Sequence, residues 1–234
     1  MATFKIAQVT VADSNDITQN NIPAFWEDPN WILAWQHTTL ENHILQAAKR
    51  TPRNLITDRE HKRHQKAIDI STGSLVGYAR WLLPDSHARL DVWPEVVVPA
   101  VSAEEEEDAK RLAETAVWKP NEESDVLLTR MVFLCLGIWH GILIARQRIG
   151  LDYLAVHPRN QGKGIATALV RSGIQEAEKL GLDIFVTAFK VAVGVYKRLG
   201  FRVLRDFVED DSRFGGMGEV YYALMVYERK GTEG

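Results

Sequence analysis

The chain has 234 residues, of which 46% are hydrophobic and 25% charged, a composition that excludes collagen, coiled coil and wholly disordered chains. Its single cysteine, Cys135, cannot form an internal disulfide, which excludes the disulfide-stapled secreted class and predicts a reducing, cytoplasmic location. The formal net charge of −3 gives no reason to expect nucleic acid or an anionic membrane as a partner.

The first third of the chain predicts a strand, two helices and a β-hairpin. Alternating apolar residues within 1–10 indicate the strand, and this segment does not resemble a signal peptide. Apolar and aromatic residues at helical spacing within 18–50 predict two helices divided at Asp28-Pro29, because proline pushes the preceding residue out of helical conformation. A basic stretch, 59–66, then leads into two short runs around a turn at 71–74, which predicts the hairpin.

Residues 85–148 predict an insertion or lid. An acidic block at 104–108 indicates the first turn of a helix that Ser102 caps. The apolar run 131–145 is shorter than the roughly 20 residues of a membrane span and contains His140, so we expect no span here. A buried helix, a lid, a membrane-touching segment and a stretch foreign to the natural protein all remain compatible with this run.

The last third shows a strand, helix, strand, helix pattern followed by two strands. The first helix runs to Leu180, and Gly181 is placed to end it in a left-handed cap. Between the first strand and this helix lies the turn 157–166, where free N–H groups at the helix N-terminus can bind an anion. Gly162 and Gly164 allow the backbone to approach that anion closely, so the sequence predicts a phosphate or pyrophosphate ligand.

Two common phosphate motifs do not fit this turn. A nucleoside triphosphate P-loop needs glycine where His157 stands and serine or threonine where Gly164 stands. A dinucleotide fingerprint needs glycine or alanine at Thr167. The remaining pattern is R-x-x-G-x-G.

This pattern, with the strand LDYLAVHP before it and the segment VYKRLGFRVL one strand later, resembles the acetyl-coenzyme A motif of the Gcn5-related N-acetyltransferase (GNAT) superfamily. The resemblance covers residues 149–227, and the hairpin KAIDISTGSLVGYARWLL is similar to the family's second and third strands. It implies an α/β (α+β) fold: a mixed, mostly antiparallel sheet flanked by helices, with an insertion between the third and fourth strands. We expect residues 1–234 to form one such domain.

The resemblance also implies site residues. The cofactor-binding set comprises a strand segment, the loop and one tyrosine: Leu154, Ala155, Val156, Arg159, Asn160, Gln161, Gly162, Lys163, Gly164, Ile165, Ala166 and Tyr196. Tyr196, in the family's Y-x-x-x-G-F signature, would also protonate the leaving thiolate. Acetyl transfer to an amine needs a base, for which Asp152 and, as a second candidate, His157 are available. Phe189 stands where many relatives carry asparagine.

The implied activity is acetyl transfer from acetyl-CoA to a primary amine, in a monomer or homodimer. The acceptor stays open: a small molecule, an amino acid, a peptide terminus or a lysine side chain. A non-catalytic acyl-CoA-binding module is the alternative. We expect no metal, because the pair His61 and His64 has no carboxylate or cysteine at ligand spacing. Trp26, Trp31 and Trp35 are interpreted as core residues; the alternative is an acceptor-pocket role for one of them, because the first helices border the acceptor site in the fold that the resemblance implies.

Overall fold

Seven strands form one mixed sheet in the computed structural model, which describes residues 3–26, 28–121 and 148–230. Their spatial order is β1-β2-β3-β4-β5-β7-β6, and β4 and β5 are parallel while every other neighbouring pair is antiparallel. The strands are β1 (Phe4–Gln8), β2 (Lys62–Asp69), β3 (Leu75–Leu82), β4 (Ile149–Ala155), β5 (Ile184–Phe189), β6 (Arg202–Asp210) and β7 (Glu219–Tyr227). The predicted fold class is confirmed.

Six helices flank the sheet in the described residues. They are α1 (Ser14–Trp26), α2 (Pro29–Leu33), α3 (Leu40–Ile56), α4 (Ala103–Glu114), α5 (Ile165–Leu180) and α6 (Lys190–Arg198). Gly181 ends α5 with φ +68°, as predicted. None of the helices in the described part of the chain is long and apolar enough to cross a bilayer.

The two faces of β3 carry different neighbours, because successive side chains of a strand point to opposite faces. On one face, Trp81 packs against α5, where Gly173 leaves room for the indole. On the other face, Tyr78 and Arg80 border a cavity beneath α1 and α3. The sheet therefore separates a face covered by the helix that follows the glycine turn from a face covered by the N-terminal helices.

The prediction of two N-terminal helices was wrong, since α2 and α3 are separate. The division at Asp28-Pro29 is confirmed. A second break precedes Leu40, where the hydroxyl of Thr39 accepts a hydrogen bond from the Asn42 N–H at 3.2 Å. Threonine favours such a cap over a helix interior, because its hydroxyl replaces a missing helical partner.

The basic stretch is part of a strand, rather than only a lead-in, because β2 already begins at Lys62. Arg63 is fully buried, and its guanidinium donates to the carbonyl oxygens of Val92 and Arg59 at 2.8 and 2.9 Å. Lys66 pairs with Asp13 at 2.5 Å. These partners explain how a charged segment fits inside the sheet.

The predicted insertion contributes to the main core. Val92, Trp93 and Val96 are buried in the cluster that also contains Trp81. The acidic helix is confirmed as α4, and Ser102 caps it through a reciprocal hydrogen bond with Glu105. The apolar run 131–145 and Cys135 lie outside the described residues.

Candidate active site

The parallel strands β4 and β5 pair only over their first residues. Their last paired residues are Leu151 and Val186, although β4 continues to Ala155 and β5 to Phe189. A bulge at Asp152 interrupts the pairing of β4 with β3 at the same level. Bulges bend a strand away from its neighbour. The second half of β4 therefore has a backbone edge without a β5 partner in the middle of the sheet.

The glycine turn continues from this open edge. Gly162 and Gly164 have φ of +75° and +80°, a conformation that glycine adopts without strain, and a Cβ at either position would have no atom of the described residues within 4 Å. Within the described residues, no backbone N–H from Gly162 to Thr167 donates a hydrogen bond; the first helical bond runs from Ala168 to Gly164. Six consecutive N–H groups at the N-terminus of α5 are thus available as donors, which fits an anion such as pyrophosphate.

The remaining predicted loop residues hold the turn together. The N–H of Gln161 donates to the Pro158 carbonyl at 3.3 Å, so this amide is occupied in contrast to the six that follow. Lys163 Nζ donates to Asn160 Oδ1 at 2.7 Å. Nδ1 of His157 accepts from the Arg159 N–H at 3.2 Å. Arg159, Asn160 and His157 therefore shape a short 3-10 turn that precedes the free amides.

Asn20 of α1 joins this loop to β4, a role that the sequence analysis missed. Its side chain is 3% exposed, donates to the Ala155 carbonyl at 3.2 Å and accepts from the His157 N–H at 3.1 Å. One amide thus satisfies two backbone groups where the strand becomes the turn. A pair of asparagines, Asn20 and Asn21, inside an otherwise amphipathic helix was the available signal.

Two candidate catalytic residues lie in different surroundings. Asp152, at the bulge, accepts a hydrogen bond from Arg80 Nε at 2.5 Å and also contacts a terminal guanidinium nitrogen. Tyr196 of α6 is 3% exposed, and its ring packs against Phe201 at 5.3 Å between centroids. Burial raises the pKa of the Tyr196 hydroxyl, which is therefore protonated at neutral pH. Within the described residues this hydroxyl makes no hydrogen bond.

Phe189 ends β5 and precedes α6, which has no side-chain cap. Its ring packs with a small cluster that contains Phe185 and Tyr222. The position where many relatives carry asparagine is thus used for packing in this chain.

A second set of polar residues lies under α1 and α3 and was not singled out from the sequence as a site. A cavity of about 140 Å³ is lined there by residues from three helices and three strands, together with Trp118. Its polar lining includes Arg50 of α3, His64 of β2, Tyr78 and Arg80 of β3, and Tyr153 of β4. Tyr153 belongs to the part of β4 that is not paired with β5, so the cavity borders this open part of the strand.

The histidine pair does not converge. His64 is buried and its Nδ1 lies 2.7 Å from the Tyr78 hydroxyl, while His61 contacts Asp58 and Asp85 at 2.7 and 3.2 Å. No group of three potential metal-ligating side chains occurs in residues 3–26, 28–121 and 148–230.

The predicted tryptophans form an aromatic cluster around His43 of α3. The His43 ring lies 4.2 Å from Trp35 and 4.6 Å from Trp118 between centroids, with Trp26 and Trp31 at 5.5 and 6.1 Å. Trp31 and Trp118 also line the cavity. Burial, followed by the charges of Arg50 and His37, lowers the pKa of His43 to about 4.

Comparisons with known proteins identify the fold that contains this open strand edge and glycine turn. Residues 99–218 match the family model described as an acetyltransferase (GNAT) domain, which is just over half of the chain. The chain therefore belongs to the GNAT acetyltransferase family. No curated protein matches the chain significantly.

Several solved structures share this fold at low identity. Histone acetyltransferase HPA2 and related acetyltransferase from Corynebacterium glutamicum is 17% identical, with a TM-score of 0.58 and 99% of each chain covered. Arylalkylamine N-acetyltransferase 2 from Aedes aegypti is 15% identical, with a TM-score of 0.58 and coverage of 97% of this chain and 99% of that one. The C-terminal condensation domain of Ebony is 12% identical, with a TM-score of 0.58 and coverage of 97% and 100%.

Proposed function

We propose that the protein transfers the acetyl group of acetyl-CoA to a primary amine, by direct attack of the amine on the thioester carbonyl. The observation that carries this proposal is the turn with six consecutive free N–H groups at the end of the open β4 edge. Such an arrangement fits the pyrophosphate of the coenzyme, which carries negative charge and needs several donors. The backbone of Gly162, Lys163, Gly164, Ile165 and Ala166 would bind it.

The open edge of β4 suits the pantetheine arm, which contains two amide groups. Leu154 and Val156 would offer backbone groups to this arm, as an added strand does at a sheet edge. The Ala155 carbonyl already accepts from Asn20, which fixes the strand at the point where the arm would pass. The thioester would then lie deeper between β4 and β5, towards the bulge at Asp152.

The chemistry requires two proton transfers. The amine loses a proton as its nitrogen forms the new C–N bond, and the C–S bond breaks to release a thiolate that takes up a proton. We assign the acid role to Tyr196, whose hydroxyl is protonated at neutral pH because burial raises its pKa. We assign the base role to Asp152, directly or through water, with His157 as the second candidate.

We further propose that residues 1–234 act as one domain in the cytoplasm, as a monomer or homodimer. Strands from the N-terminal and C-terminal parts share a single sheet, which supports one domain. Nothing in the net charge of −3 favours nucleic acid as a partner.

Isothermal titration with acetyl-CoA tests the proposal, and two glycines offer a matched pair for it. Gly164 and Gly215 have φ of +80° and +82°, and each has open space around a built Cβ. Alanine at either position imposes a similar backbone strain, about 1 kcal/mol. We expect Gly164→Ala to weaken acetyl-CoA binding about tenfold, because its methyl group enters the anion site, whereas Gly215→Ala lowers stability alone. Absence of heat with the unaltered protein at high micromolar ligand would overturn the proposal.

The alternative, a non-catalytic acyl-CoA-binding module, has one observation in its favour. Asp152 already faces the guanidinium of Arg80, two nitrogens of which contact its Oδ2 atom. Release of free thiol from acetyl-CoA with a panel of amines separates the two functions. Tight coenzyme binding with no thiol release from any amine would favour the module.

A further inference from the structure

The cavity under α1 and α3 is lined in part by buried polar side chains. His64 is 1% exposed, and its Nδ1 is hydrogen-bonded to the Tyr78 hydroxyl. Its Nε2 is buried and has no hydrogen-bond partner among the described residues. A buried polar atom without a partner is energetically unfavourable, so a ligand that supplies the missing hydrogen bond is stabilised there. Both His64 and Tyr78 line the cavity.

The charges around the cavity have one sign. Arg50 and Arg80 line it, and no acidic side chain from the described residues does. Arg80 is paired with Asp152. Within the same described residues Arg50 has no carboxylate partner, and its guanidinium lies 4.2 Å from the centre of the Trp118 ring. A half-buried, unpaired guanidinium favours an anion and disfavours a second ammonium group.

The volume limits the size of the occupant. At about 140 Å³ the cavity is close to the roughly 150 Å³ at which an engineered apolar cavity accepts benzene, so it accommodates a group of about six heavy atoms. Ile17, Ile22 and Leu55 supply apolar walls. A short aliphatic chain that ends in a carboxylate meets both the apolar walls and the guanidinium.

We propose that this cavity selects the acceptor, and that the acceptor is a compact amine with a carboxylate at its far end, bound by Arg50 and by the free Nε2 of His64. This inference rests on the proposed acetyl transfer. The reacting amine points towards Asp152 at the open part of β4, and the carboxylate lies under α3. Nε2 of His64 contributes as a donor in the tautomer in which Nδ1 accepts from Tyr78.

A set of small amines, three of similar size and one larger and aromatic, tests the selection through thiol release from acetyl-CoA. The probes are β-alanine, β-alaninamide, 1,3-diaminopropane and phenethylamine. We expect kcat/KM for β-alanine to exceed that for β-alaninamide and for the diamine by about tenfold or more, because a charge-assisted hydrogen bond replaces a neutral or repulsive contact. Equal use of the amide or the diamine, or a preference for phenethylamine, would overturn the proposed class.

Arg50→Gln identifies the residue that carries the preference. We expect it to reduce the ratio of kcat/KM between β-alanine and β-alaninamide at least about fivefold, and Arg50→Lys to retain part of this ratio. Arg53→Gln is the matched control, because Arg53 lies on the same helix but does not line the cavity. A ratio that Arg50→Gln leaves unchanged, or that Arg53→Gln changes equally, would contradict the assignment.

A turnover-free measurement keeps this inference separate from the proposed function. Trp31 and Trp118 line the cavity, so titration of β-alanine against tryptophan fluorescence reports occupancy directly. Saturable quenching by β-alanine that β-alaninamide does not reproduce supports the carboxylate site, even without turnover. Acetyl-CoA binding without any such preference would overturn the cavity assignment alone, whereas failure to bind acetyl-CoA would overturn the proposed function.

Discussion

The coenzyme loop and the acceptor cavity are built in opposite ways. The loop is a single run, residues 157–166, and its donors are backbone amides that Gly162 and Gly164 leave accessible. The cavity gathers side chains from α1, α3, β2, β3 and β4, which lie far apart in the sequence. A backbone site needs only a local conformation, whereas a side-chain site needs the complete sheet to bring its residues together.

This difference predicts that substitution of the loop glycines disturbs the backbone, whereas substitution of the cavity side chains changes the site without disturbing it. In the loop, a Cβ at Gly164 would strain the backbone, which has φ of +80°, and would also occupy space that the ligand needs. In the cavity, a change such as Arg50 to another residue alters the charge of the site without altering the backbone. We therefore expect coenzyme binding to be insensitive to side-chain changes away from the glycines. Acceptor choice, in contrast, is expected to depend on a few side chains.

The largest expected effect concerns Tyr196. If its hydroxyl protonates the leaving thiolate, Tyr196→Phe lowers kcat about a hundredfold or more while stability stays nearly constant, because the hydroxyl makes no hydrogen bond in the described residues. Steady-state kinetics together with thermal unfolding measure both quantities.

Tyr227→Phe is the matched control, because both tyrosines pack against Phe201, at 5.3 and 5.5 Å between centroids. The Tyr227 hydroxyl donates to Glu178 at 2.6 Å, so its loss costs stability of about 1–2 kcal/mol without lowering kcat. An unchanged kcat in Tyr196→Phe would remove the acid role from this residue.

The sequence predicted the strands and the turn around the coenzyme loop more completely than the cavity, for a physical reason. Glycine spacing, the helix cap at Gly181 and the β4 and β5 strands are local patterns that can be read from neighbouring residues. The pairing of His64 with Tyr78 and the isolation of Arg50 depend on strand register and helix packing, which no local pattern contains. His64 was considered only as half of a metal pair with His61, and Asn20 was not considered.

Acid sensitivity is the second expected difference between the halves, and it arises at two buried histidines: His64, whose pKa burial lowers to about 3, and His43. Burial, then the charges of Arg50 and His37, lower the pKa of His43 to about 4, against an ordinary value of 6.5. The unfolded chain therefore binds a proton that the folded chain rejects between these values. Stability is highest above pH 6.5 and falls towards pH 4, by roughly 3 kcal/mol for this group.

Urea unfolding between pH 7.5 and 5 measures this loss. His43→Phe retains an aromatic ring between Trp35 and Trp118 and removes the titrating group, so we expect a shallower dependence of stability on pH. Equal slopes for the two proteins would show that His43 does not contribute.

Packing beneath the coenzyme helix gives the third effect. A Cβ on Gly173 of α5 would lie 2.1 Å from the Trp81 ring, whose indole N–H is held by Gln65 at 3.0 Å. Gly173→Ala is therefore expected to lower the free energy of unfolding by about 1–3 kcal/mol, because the core cannot expand freely.

Gly194 of α6 is the control, because a Cβ there meets, among the described residues, only the end of the Arg198 side chain at 3.4 Å. Gly194→Ala is expected to stabilise by about 0.5–1 kcal/mol. Denaturant midpoints that move in the same direction for both variants would contradict this account.

The smallest effect has the opposite sign to that of His43 and arises at His61, just before β2. Partial burial alone would lower its pKa, but hydrogen bonds and charges from Asp58 and Asp85 together raise it. The folded chain then keeps a proton that the unfolded chain loses above pH 6.5. This stabilisation is complete below pH 6.5 and disappears as the pH rises through the folded pKa. Its size is a few tenths of a kcal/mol, since the His61 side chain is 35% exposed.

His61→Gln is expected to remove a small loss of stability on the alkaline side and to leave the acid-side loss intact. A change in the acid-side loss would mean that His61, rather than His43, controls it, and the contrast between the two histidines would then be wrong.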